Sequence, residues 1–432
     1  MLSLDDRKSL RGRYLGSKNI ERTRKQIDDL FQELGAHQRR AYRMRVDQFT
    51  ELHEKLLPEL LKEFPTTRKW GRTPNGVIHS KLRLSAALRF YAGGSPLDIM
   101  LTHGISRQSV YRSVWGTTDA INATPSLSFN QNNAEFPSHD EQAEIAEGFK
   151  LRSRAGFDKI CLAVDGMLVW TVQPTAADCK ELKVGERQFH CARKDKFGMN
   201  LMAGCDHMCR FWWADLRHPG LTSDYLAFAT SDLGVQLEHD NNDIIKPGYT
   251  MVGDNAWVPR QWMATPIPGH CITGTDDAYN FYHSQVRITI ERAFGILVHR
   301  WGILRRPLSI SILKVPPLVM CLMKLHNFCI DTNSMSTPST LRNDERCIRR
   351  MAISRGSTQA THNATAIQLD GRGIPTALIG GGHHFIDIPR NRRPLTQNHQ
   401  TSPPMEEMRN HVALNGLRRP TVNKYAGKRK RS

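Results

Sequence analysis

One helix near residue 290 is the most clearly patterned stretch of the chain. Its apolar stripe repeats every fourth residue and consists of Val286, Ile290, Phe294 and Val298. This spacing predicts the core-facing side of a long helix over residues 279–304. Arg287 and Glu291 lie one turn apart on a neighbouring face, where i,i+4 side chains meet. The pattern therefore allows a glutamate on this helix to face a sheet.

Two short apolar runs upstream predict buried strands that each lead to an aspartate. Residues 160–164 are followed by Asp165, and residues 249–252 are followed within two positions by Asp254. We expect Leu168–Val172 to return as a hairpin partner across Gly166. Further strands are predicted at 200–204 and 211–216, with a helix capped by Thr222 or Ser223 and an apolar helix over 315–330. Periodicity alone thus predicts a mixed α/β domain over residues 138–332.

The first part of the chain is predicted to be helical. Apolar spacing indicates helices from Tyr42 to Pro65, over 81–91, over 97–102, and from Ser106 onwards. The glycine turn at Gly104 before the serine cap is typical of a helix-turn-helix motif over residues 41–122. The exposed first turn of the last helix then presents side chains suited to DNA, namely Arg107, Gln108 and Arg112. A plain helical bundle is the alternative.

The charge and composition of the chain indicate a polyanionic partner. The 432 residues allow two or three domains, and the net charge is +18. Residues 1–40 are expected to form a basic arm that is either solvated or lying on DNA, and their pattern allows a loose helix over Glu21–Leu34. Residues 123–137 are expected to form a polar linker. No apolar run reaches the length of a membrane span, and the nine cysteines are scattered, as in a reducing compartment.

The last hundred residues have a different composition. From residue 331 onwards there are 17 Lys and Arg against 7 Asp and Glu, and apolar periodicity is weak. We therefore expect 333–432 to be a disordered basic tail. It ends in a cluster typical of nuclear import, although a non-specific DNA tether has the same composition; this cluster is Lys428, Arg429, Lys430 and Arg431.

Three acidic residues on two strand ends and a helix are a ligand set for phosphodiester chemistry. Hard divalent cations prefer carboxylate oxygens, and two such ions can stabilise both the attacking and the leaving oxygen. Taken singly, Asp165 and Asp254 have a simpler explanation as turn residues, and Glu291 could form a surface pair with Arg287. The order and spacing of the surrounding motifs favour the metal site.

Those motifs resemble the PIF/Harbinger-type DDE transposases and their derived nucleases. The resemblance is carried by Val164–Gly166, Gly253–Trp257 and Ile290–Gly295, with landmarks at Phe197–Leu201, His218–Asp224 and Leu325–Phe328. It runs from about Ala41 to Ile330. The resemblance implies a ribonuclease H-like mixed sheet flanked by helices.

The resemblance also implies a mechanism and a setting. Asp165 would bridge two Mg²⁺ or Mn²⁺ ions, and Asp254 and Glu291 would each complete one. Transposon ends would be hydrolysed and the 3′-hydroxyl joined to target DNA, in the nucleus, by a homo-oligomer that could need a separate Myb-like DNA-binding helper. Residues that could neutralise phosphate are Arg287, Arg292, His299 and Arg300.

Three questions stay open at this point. Asp224 follows Ser223 where relatives frequently have histidine, so an auxiliary catalytic role for that position is in doubt. A domesticated, non-catalytic DNA-binding or chromatin-associated protein could retain the same fold. A ribonuclease of the same fold is the third alternative, disfavoured by the helical N-terminal region.

Overall fold

The computed structural model describes residues 22–64, 77–129, 136–238, 243–269, 273–334 and 401–420, together with the paired strands Gln368–Leu369 and Pro375–Thr376. The chain divides into two compact units. Unit 1 is Met1–Leu127 with Arg300–Ile303, and unit 2 is Ser128–His299 with Leu304–Ser432. The basic cluster Lys428–Arg431 lies outside the described residues.

Unit 1 is all helical where it is described. Its helices are α1 Ile27–Leu34, α2 Gln38–Tyr42, α3 Val46–Glu63, α4 Ser80–Tyr91, α5 Pro96–His103 and α6 Arg107–Ala123. Ser106 caps α6 by accepting a hydrogen bond from the backbone N–H of Ser109, as the sequence predicted. Gly104 adopts φ +61° between α5 and α6, a conformation that glycine reaches without strain.

The prediction of a basic arm that is solvated or lies on DNA is wrong for α1 and α2, although α1 falls within the helix that the sequence allowed over Glu21–Leu34. Ile27, Leu30 and Phe31 are buried, and the Phe31 ring packs edge-on against Tyr42 and Phe49 at 5.0 Å. Three apolar side chains at helical spacing outweigh the charges between them, because aromatic packing buries a large area. Residues 1–21 of the predicted arm lie outside the described part of the chain.

Unit 2 contains a mixed sheet with helices packed against it. The strands are β1 Ile160–Trp170, β2 His190–Cys191, β3 Lys196–Cys205, β4 Phe211–Pro219, β5 Thr250–Val252 and β6 Met263–Ala264. Their order is β2-β3-β1-β5-β6, with β4 also paired to β3. The β3 strand is antiparallel to β1 and β4, whereas β5 runs parallel to β1 and β6. This arrangement is consistent with a ribonuclease H-like fold.

The helices of unit 2 surround that sheet. They are α7 His139–Arg152, α8 Ala176–Leu182, α9 Asp224–Ala229, α10 Asp232–Leu237, α11 Gly274–Arg300, α12 Val315–Ser334 and α13 Pro403–Leu414. The α7 helix packs on β1, and α12 packs on β4. Asn327 of α12 receives a hydrogen bond from the Phe211 backbone N–H at 2.9 Å and donates to its carbonyl at 2.6 Å, which secures the first residue of β4.

One helical stretch, Ile312–Thr332, is long and apolar enough to cross a membrane by length and composition. Its apolar window is 67% buried inside the protein. Its His326 lies 2.8 Å from the Cys209 carbonyl, in the turn that leads into β4. Packing against the sheet thus accounts for the apolar character of this helix.

Two predictions about unit 2 are wrong. Gly166 does not turn the chain back on itself, because β1 is a single strand that runs through it to Trp170. The tail over 333–432 is not disordered throughout, since residues 401–420 include α13, whose Met405, Met408 and Val412 are buried. These apolar residues at spacings of three and four form one face that needs the rest of unit 2 to cover it.

Candidate active site

Asp165 is the centre of an acidic cluster in unit 2, which we define as Asp165, Asp224, Asp254 and Glu291. It lies in the middle of β1 with its side chain 15% exposed, and its Oδ1 accepts a hydrogen bond from the Gly166 backbone N–H at 2.8 Å. Burial raises the pKa of the Asp165 carboxyl to about 8. Four other charges act on this pKa: Arg287 lowers it, whereas Asp254, Asp224 and Glu291 raise it. The negative charges therefore share one small region.

The α11 helix supplies a buried cation and a buried carboxylate to that region. The Arg287 Nη1 lies 2.5 Å from Glu291 Oε1 and 3.6 Å from Asp165 Oδ2. The Arg287 and Glu291 side chains are 9% and 2% exposed, so the pair is not the surface pair that the sequence allowed. One helical turn separates the two residues, which places both on the side that faces β1. Arg287 thus joins the strand aspartate to the helical glutamate.

Asp254 is held by a turn just after β5. Its Oδ1 accepts a hydrogen bond from the Ala256 backbone N–H at 2.9 Å, and its carbonyl accepts one from the Trp257 N–H at 3.3 Å. Burial raises the pKa of Asp254, and the Asp224 charge adds to that rise. The turn chemistry noted in the sequence is therefore present, and it aims the carboxylate at the acidic cluster.

Asp224 is a fourth carboxylate, which the sequence left in doubt. Its Oδ1 accepts a hydrogen bond from Asn200 Nδ2 at 2.8 Å, and Asn200 also donates to the Thr222 carbonyl at 2.9 Å. A Cβ added to Gly166 would lie 2.4 Å from the same Oδ1, so only glycine leaves room for this carboxylate beside Asp165. In the sequence, the signals for this fourth carboxylate were Gly166, directly after Asp165, and Asn200 in β3.

Residues 164–327, which contain all of these carboxylates, match the family described as DDE superfamily endonuclease. That segment is similar to the DDE superfamily endonucleases. The chain is also 26% identical over 258 residues to the Mus musculus protein named "Putative nuclease HARBI1", and the match covers 59% of this chain and 68% of that protein. No solved structure matches the chain. The two matches confirm the predicted resemblance to Harbinger-type DDE transposase-derived nucleases.

The chemistry of these carboxylates fits a hard divalent cation. Carboxylate oxygens are the ligands that Mg²⁺ and Mn²⁺ prefer, and DDE endonuclease domains generally use divalent metals. Within the described residues, no three His, Cys, Asp or Glu side chains are already arranged around a single point. The Arg287 guanidinium instead contacts both Asp165 and Glu291 and supplies positive charge there.

The other residues that the sequence suggested for phosphate neutralisation have different surroundings. Burial raises the pKa of the Cys205 thiol, and the Arg292 charge lowers it. Cys205 is in the β1–β3 ladder, two residue pairs away from the pair that contains Asp165. His299 Nδ1 lies 3.0 Å from Arg305 Nη2. Arg300 belongs to unit 1. Of the four residues suggested by the sequence, Arg287 is the one in contact with the acidic cluster.

The predicted DNA-reading side chains are on the outer surface of unit 1. Arg107, Gln108 and Arg112 are exposed on α6. The Arg107 guanidinium lies 5.8 Å from the centre of the Tyr111 ring, within cation–π range. Val110 and Val114 on the opposite face of α6 are fully buried, so this helix presents a basic face while its other side fills the core.

Proposed function

We propose that this chain is a metal-dependent DNA endonuclease of transposase descent, which cleaves at transposon ends and joins the 3′-hydroxyl to target DNA. The observation that carries the proposal is the buried Arg287 guanidinium, which contacts both Asp165 and Glu291 in a segment similar to the DDE superfamily endonucleases. A strand carboxylate and a helix carboxylate at one buried cation, with the Asp254 charge also raising the pKa of Asp165, are poorly explained as turn or surface residues.

Asp165, Asp254 and Glu291 are the residues proposed to hold two Mg²⁺ or Mn²⁺ ions. Such ions activate the attacking water or hydroxyl and stabilise the leaving oxygen. The protein's own contribution is to bury the carboxylates and fix them on a strand, a turn and a helix. Arg287 offsets part of their charge and holds Glu291 toward Asp165.

Unit 1 is proposed to bind DNA through α6. Arg107, Gln108 and Arg112 are exposed together on its N-terminal half, and residues of these types pair with base edges and phosphates. The net charge of +18 supports a nucleic-acid partner. We further propose that the protein acts in the nucleus as a homo-oligomer, with a Myb-like helper where its own DNA contacts are insufficient.

A nicking assay on the full-length protein tests the proposed activity. We expect Mg²⁺-dependent nicking of duplex DNA that falls at least about a hundredfold in Asp165→Asn and in Glu291→Gln, because each removes an anionic ligand. Glu144→Gln, an exposed acidic residue on α7, is the matched control and should retain activity. DNA binding without nicking by the wild type would instead support the domesticated, non-catalytic alternative.

A binding assay tests the role of unit 1 separately. We expect Arg107→Ala to weaken DNA binding about tenfold. Lys55→Ala removes the same charge from α3 and should change affinity much less. Equal effects of the two substitutions would contradict a DNA-reading role for α6.

A further inference from the structure

Arg83 of α4 is a half-buried arginine whose guanidinium is fixed in place. Its guanidinium carbon lies 3.9 Å from the centre of the Phe64 ring. That ring packs against Gly116 of α6, where an added Cβ would lie 2.2 Å from the Phe64 Cζ. Arg83 Nε donates to the Ile78 carbonyl at 3.3 Å, and its Nη1 donates to the Ser113 hydroxyl at 3.4 Å. The guanidinium is therefore held against α6.

Part of this guanidinium remains open to solvent. A guanidinium carries five N–H groups, and the two hydrogen bonds of Arg83 use one at Nε and one at Nη1. Nη2 donates no hydrogen bond within the described part of the chain, and it is not one of the buried side-chain nitrogens that lack a partner. Its two N–H groups therefore face solvent, where they can donate to a ligand without breaking a contact within the protein.

The charges that act on Arg83 are positive. Its hydrogen bonds within the described residues go to a carbonyl and a hydroxyl, and none goes to a carboxylate, although buried charges in proteins are usually paired. Burial, together with the charges of Arg112 and Arg24, lowers the pKa of Arg83 to about 10. Its charged neighbours thus destabilise the guanidinium, and an anion bound there would offset that cost.

Arg24 is placed beside Arg83 by the short backbone segment that precedes α4. Its Nη1 donates to the Val77 carbonyl at 2.5 Å, and Val77 is next to Ile78, whose carbonyl accepts from Arg83. The backbone of Arg24 packs on the turn before α6, because a Cβ added at Gly104 would lie 3.1 Å from the Arg24 Cα. Two arginines thus donate to consecutive carbonyls beside the N-terminal half of α6.

Arg112 extends this positive surface onto α6 itself. It directly precedes the serine that accepts from Arg83, and its side chain is exposed. Arg107 and Gln108 are exposed about one turn earlier on the same helix. The arginine trio, which we define as Arg24, Arg83 and Arg112, therefore lies along the part of α6 that is proposed to read bases. A duplex that presents base edges to a helix also presents its backbone phosphates to the protein surface beside that helix.

We propose that Arg83, together with Arg24 and Arg112, binds a backbone phosphate of DNA beside the α6 helix. This inference rests on the proposed function, since it takes DNA as the partner of unit 1. Arginine suits this contact because its planar guanidinium presents paired N–H donors to phosphate oxygens. Every duplex carries such phosphates, so the contact raises affinity for any sequence and positions the base-reading turn without selecting bases.

Salt-dependent DNA binding by the full-length protein tests this contact. Affinity for a short labelled duplex is measured over a series of salt concentrations. We expect Arg83→Met, which keeps an unbranched side chain on the Phe64 ring, to weaken binding about tenfold and to make the slope of log K against log salt less negative by about one. Arg83→Lys keeps the charge and should retain most of the slope.

Arg89→Met is the matched control for the loss of arginine packing. Arg89 is on the same helix, donates to the Ala41 carbonyl at 2.9 Å and lies over the Tyr42 ring, so its surroundings resemble those of Arg83. Six residues along a helix place it on a different face of α4 from Arg83. Its substitution should leave the salt slope unchanged.

A second measurement separates anion binding from a general loss of stability. The melting temperature of the full-length protein is compared in inorganic phosphate and in chloride at equal ionic strength. We expect phosphate to raise it more in the wild type and in Arg89→Met than in Arg83→Met, because an anion that binds the folded site stabilises the folded state. The general effect of phosphate on protein stability is common to all three proteins and cancels in this comparison.

The outcomes distinguish this inference from the proposed function. An unchanged salt slope in Arg83→Met, in a protein whose wild type binds DNA, would overturn the inference and leave the proposed DNA binding by unit 1 in place. An equal response of Arg83→Met and Arg89→Met to inorganic phosphate would also overturn it. A wild-type protein that does not bind DNA would contradict the proposed role of unit 1 and this inference together.

Discussion

A Cβ on Gly166 of β1 would lie 2.4 Å from Oδ1 of Asp224, the first residue of α9, so the aspartate excludes any larger residue at position 166. The distance is shorter than any normal contact of a Cβ atom. The Asp224 carboxylate cannot easily move away, because Asn200 Nδ2 holds the same oxygen at 2.8 Å. The glycine after Asp165 is therefore required by the packing of the site.

We expect Gly166→Ala to displace Asp224 and to destabilise unit 2 by about 1–3 kcal/mol, the usual range for overpacking. Nuclease activity should fall with it, because the displaced carboxylate borders Asp165. Gly185→Ala is the matched control, since Gly185 has φ −67° and nothing within 4 Å of its added Cβ. Urea unfolding and nicking assays measure both effects, and equal behaviour of the two variants would contradict the steric argument.

The Arg287 guanidinium should compete with a metal ion for the same carboxylates. Without added metal, we expect Arg287→Met to destabilise unit 2 by about 3–5 kcal/mol, because the buried Glu291 loses the counter-charge that it contacts. Added Mg²⁺ should then raise the melting temperature of this variant more than that of the wild type.

Arg292→Met tests whether this effect is specific to the acidic cluster. Arg292 is on the same helix, but its charge acts on Cys205. Its removal should leave the Mg²⁺-dependent rise in melting temperature as in the wild type. A larger Mg²⁺ response in Arg292→Met than in Arg287→Met would contradict competition at Asp165 and Glu291.

The predictable part of this protein is the part that follows local periodicity. The stripe Val286–Val298 predicted a helix over 279–304, and the structure has it at Gly274–Arg300. Asp165 and Asp254 were found because each follows an apolar run, and Glu291 because it lies beside the apolar stripe of a helix. The family landmarks joined the three into one predicted site, whereas Gly166 was wrongly predicted to be a turn. Glycine in that position is explained by a neighbour 58 residues away in sequence, which no local pattern contains.

Contacts between distant segments account for most of what the sequence did not predict. Asn200 on β3 donates a hydrogen bond to Asp224 at the start of α9. Arg287 on α11 lies 3.6 Å from Asp165 on β1, although the two residues are far apart in sequence. In both cases the residue types were ordinary, and only the tertiary fold gave them a site.

The α13 helix was also beyond prediction, and its packing can be tested. It is held by the buried face of Met405, Met408 and Val412, and by salt bridges from Glu407 to Lys159 and from Arg409 to Asp276. We expect Met408→Asp to destabilise unit 2 by about 3 kcal/mol, because it removes apolar contacts and buries a charge.

Limited proteolysis shows whether this helix leaves the surface on which it packs. Met408→Asp should open residues 401–420 to cleavage. Leu414→Asp is the matched control on the same helix, because Leu414 is 87% exposed, and it should cleave like the wild type. Identical proteolysis of the two variants would show that α13 is not held by its apolar face.

A buried histidine network should make the stability of unit 1 depend on pH. His103 Nδ1 lies 3.1 Å from the Ile99 carbonyl, which can only accept, so Nδ1 carries the proton and Nε2 accepts from the Ser85 hydroxyl at 2.9 Å. Tyr42 can then donate to Ser85 at 2.8 Å. This chain of hydrogen bonds requires a neutral imidazole, and burial lowers the pKa of His103 from 6.5 to about 4.

Since the unfolded chain takes up the proton first, the contribution of His103 to the free energy of unfolding is complete above pH 6.5 and declines as the pH falls toward 4. At about pH 5 the loss should reach about 2 kcal/mol. Urea unfolding of wild type and His103→Asn at neutral and acidic pH isolates this contribution, because His283 and the other histidines titrate equally in both proteins. The variant should be less stable at neutral pH but should lose less stability on acidification. A parallel decline in the two proteins would contradict a neutral, buried His103.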